Sequence, residues 1–96
     1  MNELKTAQAG TLESNDIMIT LTPGAEGSGV VIELESIVLA QYGQAIRKTI
    51  ANVANEQNVT DIYIKAVDRG ALDCTIQARV LAALSRAGVI LQKELI

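Results

Sequence analysis

Two short runs of strict alternation bracket a glycine-rich break, and that pattern decides which folds are open to the chain. In the first run Ile17, Ile19 and Leu21 fall on one side, with Met18, Thr20 and Thr22 on the other. In the second, Val30, Ile32 and Leu34 alternate with Val31, Glu33 and Glu35. Successive side chains of a strand point to opposite faces, so each run reads as a strand with one face against a core. Between them "PGAEGSG", Pro23 to Gly29, holds the only proline and three of the seven glycines, which makes it a loop. The two runs are expected to form an antiparallel pair.

The period then changes. Ser36 is a candidate N-cap, and Leu39, Tyr42, Ile46, Ile50 and Val53 recur at helical spacing, with Gln41, Gln44, Arg47, Lys48 and Asn52 off that stripe. Asn55 to Asn58 ends this helix. Next, Ile62, Ile64 and Ala66 alternate with Tyr63, Lys65 and Val67, and Asp68-Arg69-Gly70 is a turn signal. Leu72, Cys74, Ile76 and Ala78 alternate with Asp73, Thr75, Gln77 and Arg79. That stretch also fits a helix through Leu72, Ile76 and Val80, but four apolar–polar pairs in succession favour a strand. A second helix, "ARVLAALSRAG", would then begin near Arg79 and end at Gly88, a natural C′ glycine. The expected fold is α+β: one small two-layer domain, ββαββα, with an antiparallel sheet and two helices on one face. Residues 1–13 read as an irregular arm, 14–88 as the domain and 89–96 as an apolar-rich tail.

The 96 residues suffice for one small domain. The apolar fraction is 49% but aromatic content only 2%, so the core must be aliphatic. Eight basic against eleven acidic residues give a net charge of −3, which argues against a nucleic-acid binder. "MNELKTAQAG" lacks the apolar stretch of a signal peptide, and no run is long enough to span a membrane. The expectation is a cytoplasmic protein.

Chemistry is scarce in this sequence. With no histidine and one cysteine, Cys74, neither a Ser-His-Asp set nor a zinc site can be assembled. "GAEGSG" lies between strands, not between a strand and a helix, so it is no phosphate cradle. Cys74, in line with Leu72 and Ile76, reads as a small core residue. Asp68 and Asp73 flank Gly70 and read as caps on local amides. Ser14, between Glu13 and Asp16, is ordinary turn chemistry on local pattern alone. It is also a hydroxyl with no base nearby, which another enzyme could activate and modify.

Longer blocks bear on that choice. "GTLES-D" before the "IMI" strand, "IRKTI" on the first helix and "D-GALDCTI-AR" near the end closely resemble the acyl carrier proteins of citrate lyase, its gamma subunit. The resemblance runs from about Thr6 to about Gly88. Position 15 is Asn here, where relatives often carry Ser or Gly. The resemblance implies that Ser14 carries a 2'-(5''-phosphoribosyl)-3'-dephospho-CoA group through a phosphodiester, making the chain a phosphoprotein with a prosthetic group. The thiol of that arm would hold acetyl and citryl thioesters. It also implies a non-catalytic subunit whose partners are the acyltransferase (alpha) and lyase (beta) subunits, the synthase that transfers the arm, and a ligase that acetylates its thiol. Together they would cleave citrate to acetate and oxaloacetate. Glu13 and Asp16 are candidate recognition charges, on a segment expected to be exposed and mobile. Two other readings stay open: the related carrier of malonate decarboxylase, and an interaction module in which Ser14 is only a turn residue.

Overall fold

The computed structural model describes residues 4–91. The elements are β1 (Ala7–Gly10), β2 (Ile17–Pro23), β3 (Val30–Ser36), α1 (Leu39–Glu56), β4 (Ile62–Asp68) and α2 (Asp73–Ala87). The α+β class holds, with a four-stranded sheet and two helices packed on one of its faces. The order of elements does not follow the expected ββαββα.

Two corrections account for the difference. First, β2 and β3 are not neighbours: the sheet order is β1-β2-β4-β3, with β4 antiparallel to β2 and parallel to β3. The glycine-rich loop spans the start of β4 instead of making a hairpin. It is fixed there by Asp61, whose backbone carbonyl accepts from Gly24 N–H (3.1 Å) and whose carboxylate accepts from Gly29 N–H (2.9 Å). The parallel pairing of β3 with β4 follows from α1, which returns the chain across the sheet as a crossover.

Second, residues 73–87 form one continuous helix, and the fourth strand is Ala7–Gly10, inside the segment expected to be an irregular arm. Both edges of β4 are already paired, so the chain after it cannot fold back on β4 as a hairpin. Asp68 turns it away, its carboxylate accepting from Gly70 N–H (3.2 Å) and Ala71 N–H (3.0 Å). Once helical, the segment buries Ile76, Val80, Ala83, Leu84 and Ala87 as a single stripe. Cys74 therefore leaves the face of Ile76 and is exposed; it is not the core residue expected from alternation. Gly88 does end α2, at φ 106°, with Val89 N–H donating back to the Leu84 carbonyl (3.0 Å).

The core lies between the helices and the inner face of the sheet. Ile17, Ile19 and Leu21 of β2 stand opposite Asp68, Ala66 and Ile64 of β4. Ile46, Ile50, Val53 and Ala54 of α1 close over that face beside the α2 stripe. Such side chains contribute about 1.5–3 kcal/mol each when fully removed from water, which lets an aliphatic core hold a domain this small. Ser36 does not cap α1 directly, because the helix starts at Leu39. Its hydroxyl accepts from Val38 N–H (3.1 Å) and donates to Asp68 (2.8 Å), tying the end of β3 to the end of β4.

Candidate functional site

One end of the molecule gathers the turn before β2, the carboxyl ends of β3 and β4, and the first turns of both helices. Ser14 stands at its edge. Asp16 N–H donates to the Glu13 carbonyl (3.2 Å), closing a four-residue turn with Ser14 and Asn15 at its corners. Asn15 has φ 64°, a conformation that Asn tolerates and Gly adopts freely. Leu12, Glu13, Ser14 and Asn15 are all exposed. Among the described residues nothing bonds to the Ser14 hydroxyl.

The base of the turn is rigidly held. Asp16 is buried, and its carboxylate takes two bonds from the Arg79 guanidinium, Nε to Oδ1 at 3.0 Å and Nη2 to Oδ2 at 2.8 Å. Thr11 Oγ1 donates to Oδ2 (2.7 Å) and Ile17 N–H to Oδ1 (2.7 Å). Thr11 Oγ1 also accepts from Glu13 N–H (3.1 Å), so the turn's first residue is tied to its last. On the far side, Asn15 N–H donates to the Arg69 carbonyl (2.8 Å) and Arg69 N–H to the Asp16 carbonyl (2.9 Å). These extend the β2–β4 ladder past its last strand pair. Bidentate, charge-assisted bonds are the strong class of hydrogen bond, and here they anchor α2 to the turn. Where the sequence reading had an exposed, mobile segment, the hydroxyl is exposed but its turn is bonded on both sides.

Gly10 makes the close approach possible. Its φ is 96°, and a Cβ there would sit 1.8 Å from the Ile17 carbonyl oxygen and 3.3 Å from Arg79 Cδ. Only a residue without a side chain lets β1 turn into the Ser14 loop at that point.

The three residues singled out in the sequence thus divide. Ser14 and Glu13 stand in solvent on the same turn. Asp16 does not serve as a free recognition charge, because each of its oxygens has internal partners; it is the keystone of the turn. Sequence reasoning missed Arg79, Thr11 and Arg69. Arg79 lies 63 positions from Asp16, and nothing local marks the pair. The Arg69 side chain is exposed and has no ion pair among the described residues, which leaves one cation beside the Ser14 turn without a fixed partner. Within the same residues no group of three or more carboxylates or thiols is placed to hold a metal ion, and no helix is long and apolar enough to cross a membrane.

Known proteins resemble this chain in both sequence and fold. Residues 4–87 match the acyl carrier family model described as the malonate decarboxylase delta subunit (MdcD). The citrate lyase acyl carrier protein of Streptococcus uberis is 49% identical over 91% of this chain and 84% of that protein. Its counterpart in Streptococcus mutans is 46% identical over 94% of this chain and 87% of its own length. Among solved structures, a chain of a Pseudomonas malonate decarboxylase hetero-tetramer in complex with malonate superposes with a TM-score of 0.74, covering 88% of this chain and 84% of that one at 20% identity. That likeness establishes a shared fold. The sequence relatives lead to one conclusion: this chain belongs to the citrate lyase acyl carrier protein family, whose members are carriers and not catalysts.

Proposed function

We propose that the chain carries acetyl and citryl thioesters for a cytoplasmic citrate lyase, on a phosphoribosyl-dephospho-CoA arm joined to Ser14. The observation that carries this reading is the Ser14 turn itself: an unbonded hydroxyl at an exposed corner, on a base fixed by Asp16 and Arg79. The residues present suit such a group. A phosphodiester at Ser14 is an anion, and the uncommitted Arg69 side chain belongs to the residue paired with Asn15 and Asp16. The arm supplies the thiol, and with it the thioester chemistry.

This chain's own contribution is presentation. Among the described residues nothing bonds to the Ser14 hydroxyl, so the transferring synthase supplies the base. In that transfer the Ser14 Oγ–P bond forms, the bond from phosphorus to the donor's leaving group breaks, and the hydroxyl proton passes to the synthase. Glu13 and Asn15, exposed on the same turn, and Arg69, whose backbone pairs with it, are the polar groups nearest in the fold for that enzyme to contact. The anchored turn keeps the attachment point fixed relative to the domain. A partner that docks on the domain therefore meets the arm from a constant origin, and tethering raises the local concentration of the acyl group at the acyltransferase and lyase subunits.

The test is intact mass and peptide mapping after incubation with the citrate lyase holo-carrier synthase and its arm donor. The native chain should gain one arm on the Ser14 peptide, and Ser14→Ala should gain none while folding normally. An arm on Ser28, Ser36 or Ser85, or none on the native chain, would refute the assignment. The malonate decarboxylase reading draws support from the family model and the fold neighbour. It predicts that the loaded chain works with that enzyme's subunits and not with those of citrate lyase.

A further inference from the structure

The apolar stripe of α1 outruns the core it faces. Ile46, Ile50 and Val53 are buried, but Leu39 and Tyr42, in line with them, are 46% and 56% exposed. At the same level Leu72, the residue that precedes α2, is 69% exposed. Between these first turns lies an open groove of about 630 Å³, walled by Val38, Tyr42 and Ala45 on one side and Ala71, Leu72 and Cys74 on the other. Its size is that of a small-molecule site. Gly70 also lines it, and a Cβ at Gly70 would touch Asn15 Oδ1 at 3.6 Å. The groove therefore abuts the Ser14 turn.

We infer that this groove is the resting site of the pantetheine stem of the arm, an inference that rests on Ser14 being the attachment point. Position is the first argument. The stem is tethered to Ser14 through the phosphoribosyl and nucleotide part of the arm, which is long enough to fold back over the adjoining groove and keeps the stem within its own length of it. Its effective concentration there is on the order of millimolar, so a weak apolar contact is enough to fill the site. Chemistry is the second. The stem alternates a gem-dimethyl group and methylenes with amides, and the groove offers Tyr42, Val38 and Leu72 to the former and the Asp73 carboxylate, which also lines it, to the N–H groups of the latter. The weakness is useful, because a stem that rests loosely is sheltered between partners and released when one docks. A protein partner or a second copy would cover the groove only when that partner is present.

Cys74 provides the readout, since it is the chain's only cysteine, is exposed, and lines the groove. Apo and arm-loaded protein are treated with iodoacetamide, and alkylation is followed by peptide mass, which separates Cys74 from the thiol of the arm on the Ser14 peptide. Cys74 should react about threefold more slowly in the loaded protein, as for a site filled two-thirds of the time. The slowing should not depend on protein concentration. In Leu72→Asp, which places a charge on the exposed rim, apo and loaded rates should become equal while the arm still attaches. Equal rates in the native apo and loaded forms would overturn the inference and leave the attachment reading intact. Slowing that grows with protein concentration would also overturn it, in favour of a second copy. Failure of the Ser14 peptide to gain mass would strike the attachment reading first, and the groove with it.

Discussion

The Arg79 guanidinium, bonded twice to Asp16, holds that carboxyl well below the usual carboxylate range, with smaller help from Thr11 and the Ile17 amide and against the cost of burial. A carboxyl whose pKa falls on folding stabilises the folded state while it is ionised. The contribution is complete above the unfolded value of 3.8, shrinks as pH drops below it, and is gone once pH passes beneath the folded value. Asp16→Asn should thus be less stable than the native chain at neutral pH by about 1–3 kcal/mol, the worth of hydrogen bonds to a charged group discounted for a partly exposed arginine. Urea midpoints measured from about pH 6 to about pH 2 should show the gap closing in acid. A constant gap would mean that charge is not what holds the turn. Gly10 belongs at the same scale. Gly10→Ala meets both a disfavoured φ and the Ile17 carbonyl, so it should lose at least about 2 kcal/mol, read as a fall in Tm.

At the scale of elements, what could be read from the sequence was what period alone decides. The runs that became β2, β3 and β4 alternate cleanly because one face of each meets the core, and the lower part of α1 shows its stripe for the same reason. The segment Leu72–Ala78 was not decidable locally. Leu72, Ile76 and Val80 satisfy both periods, and the choice rests on sheet neighbours that local pattern does not reveal. β1 was hidden for the opposite reason: Ala7–Gly10 is short, small and weakly patterned, and it pairs only because β2 offers it an edge. At the candidate site the resemblance points to Ser14 and composition marks Gly10 as a breaker, whereas the Asp16–Arg79 pair exists only once α2 is a helix. Cys74 separates the two readings of that segment. In the first turn of a helix and exposed, it should accept Cys74→Ala with no loss, or a gain of a few tenths of a kcal/mol from better helix propensity. A buried strand thiol would instead cost about 1 kcal/mol or more when truncated. Chemical denaturation of that variant distinguishes the outcomes.

The molecule as a whole is polar in the sense of having two unlike ends. At one end the loop Gly24–Gly29 is pinned by Asp61 to the start of β4. At the other, Asp68 joins the end of β3 through Ser36 to the turn that launches α2, and the next residue, Arg69, carries the Ser14 turn on its backbone. Both aspartates organise loops by accepting from backbone amides, so both should matter for stability. Only the second is mechanically continuous with the Ser14 turn. Asp61→Ala should cost about 1 kcal/mol, the net worth of one hydrogen bond, and leave the rate of arm transfer to Ser14 unchanged. Asp68→Asn keeps one acceptor at a fully buried site and loses another. It should cost somewhat more, about 1–3 kcal/mol, and slow arm transfer as well, because Gly70 and Arg69 lose the geometry on which Asn15 and Asp16 are paired. The comparison is made at a temperature where circular dichroism shows both variants fully folded, with transfer followed by intact mass. Equal rates in the two variants would mean that the synthase reads the Ser14 turn without regard to the strand end beneath it. A slowed Asp61→Ala would mean that it grips the domain at both ends.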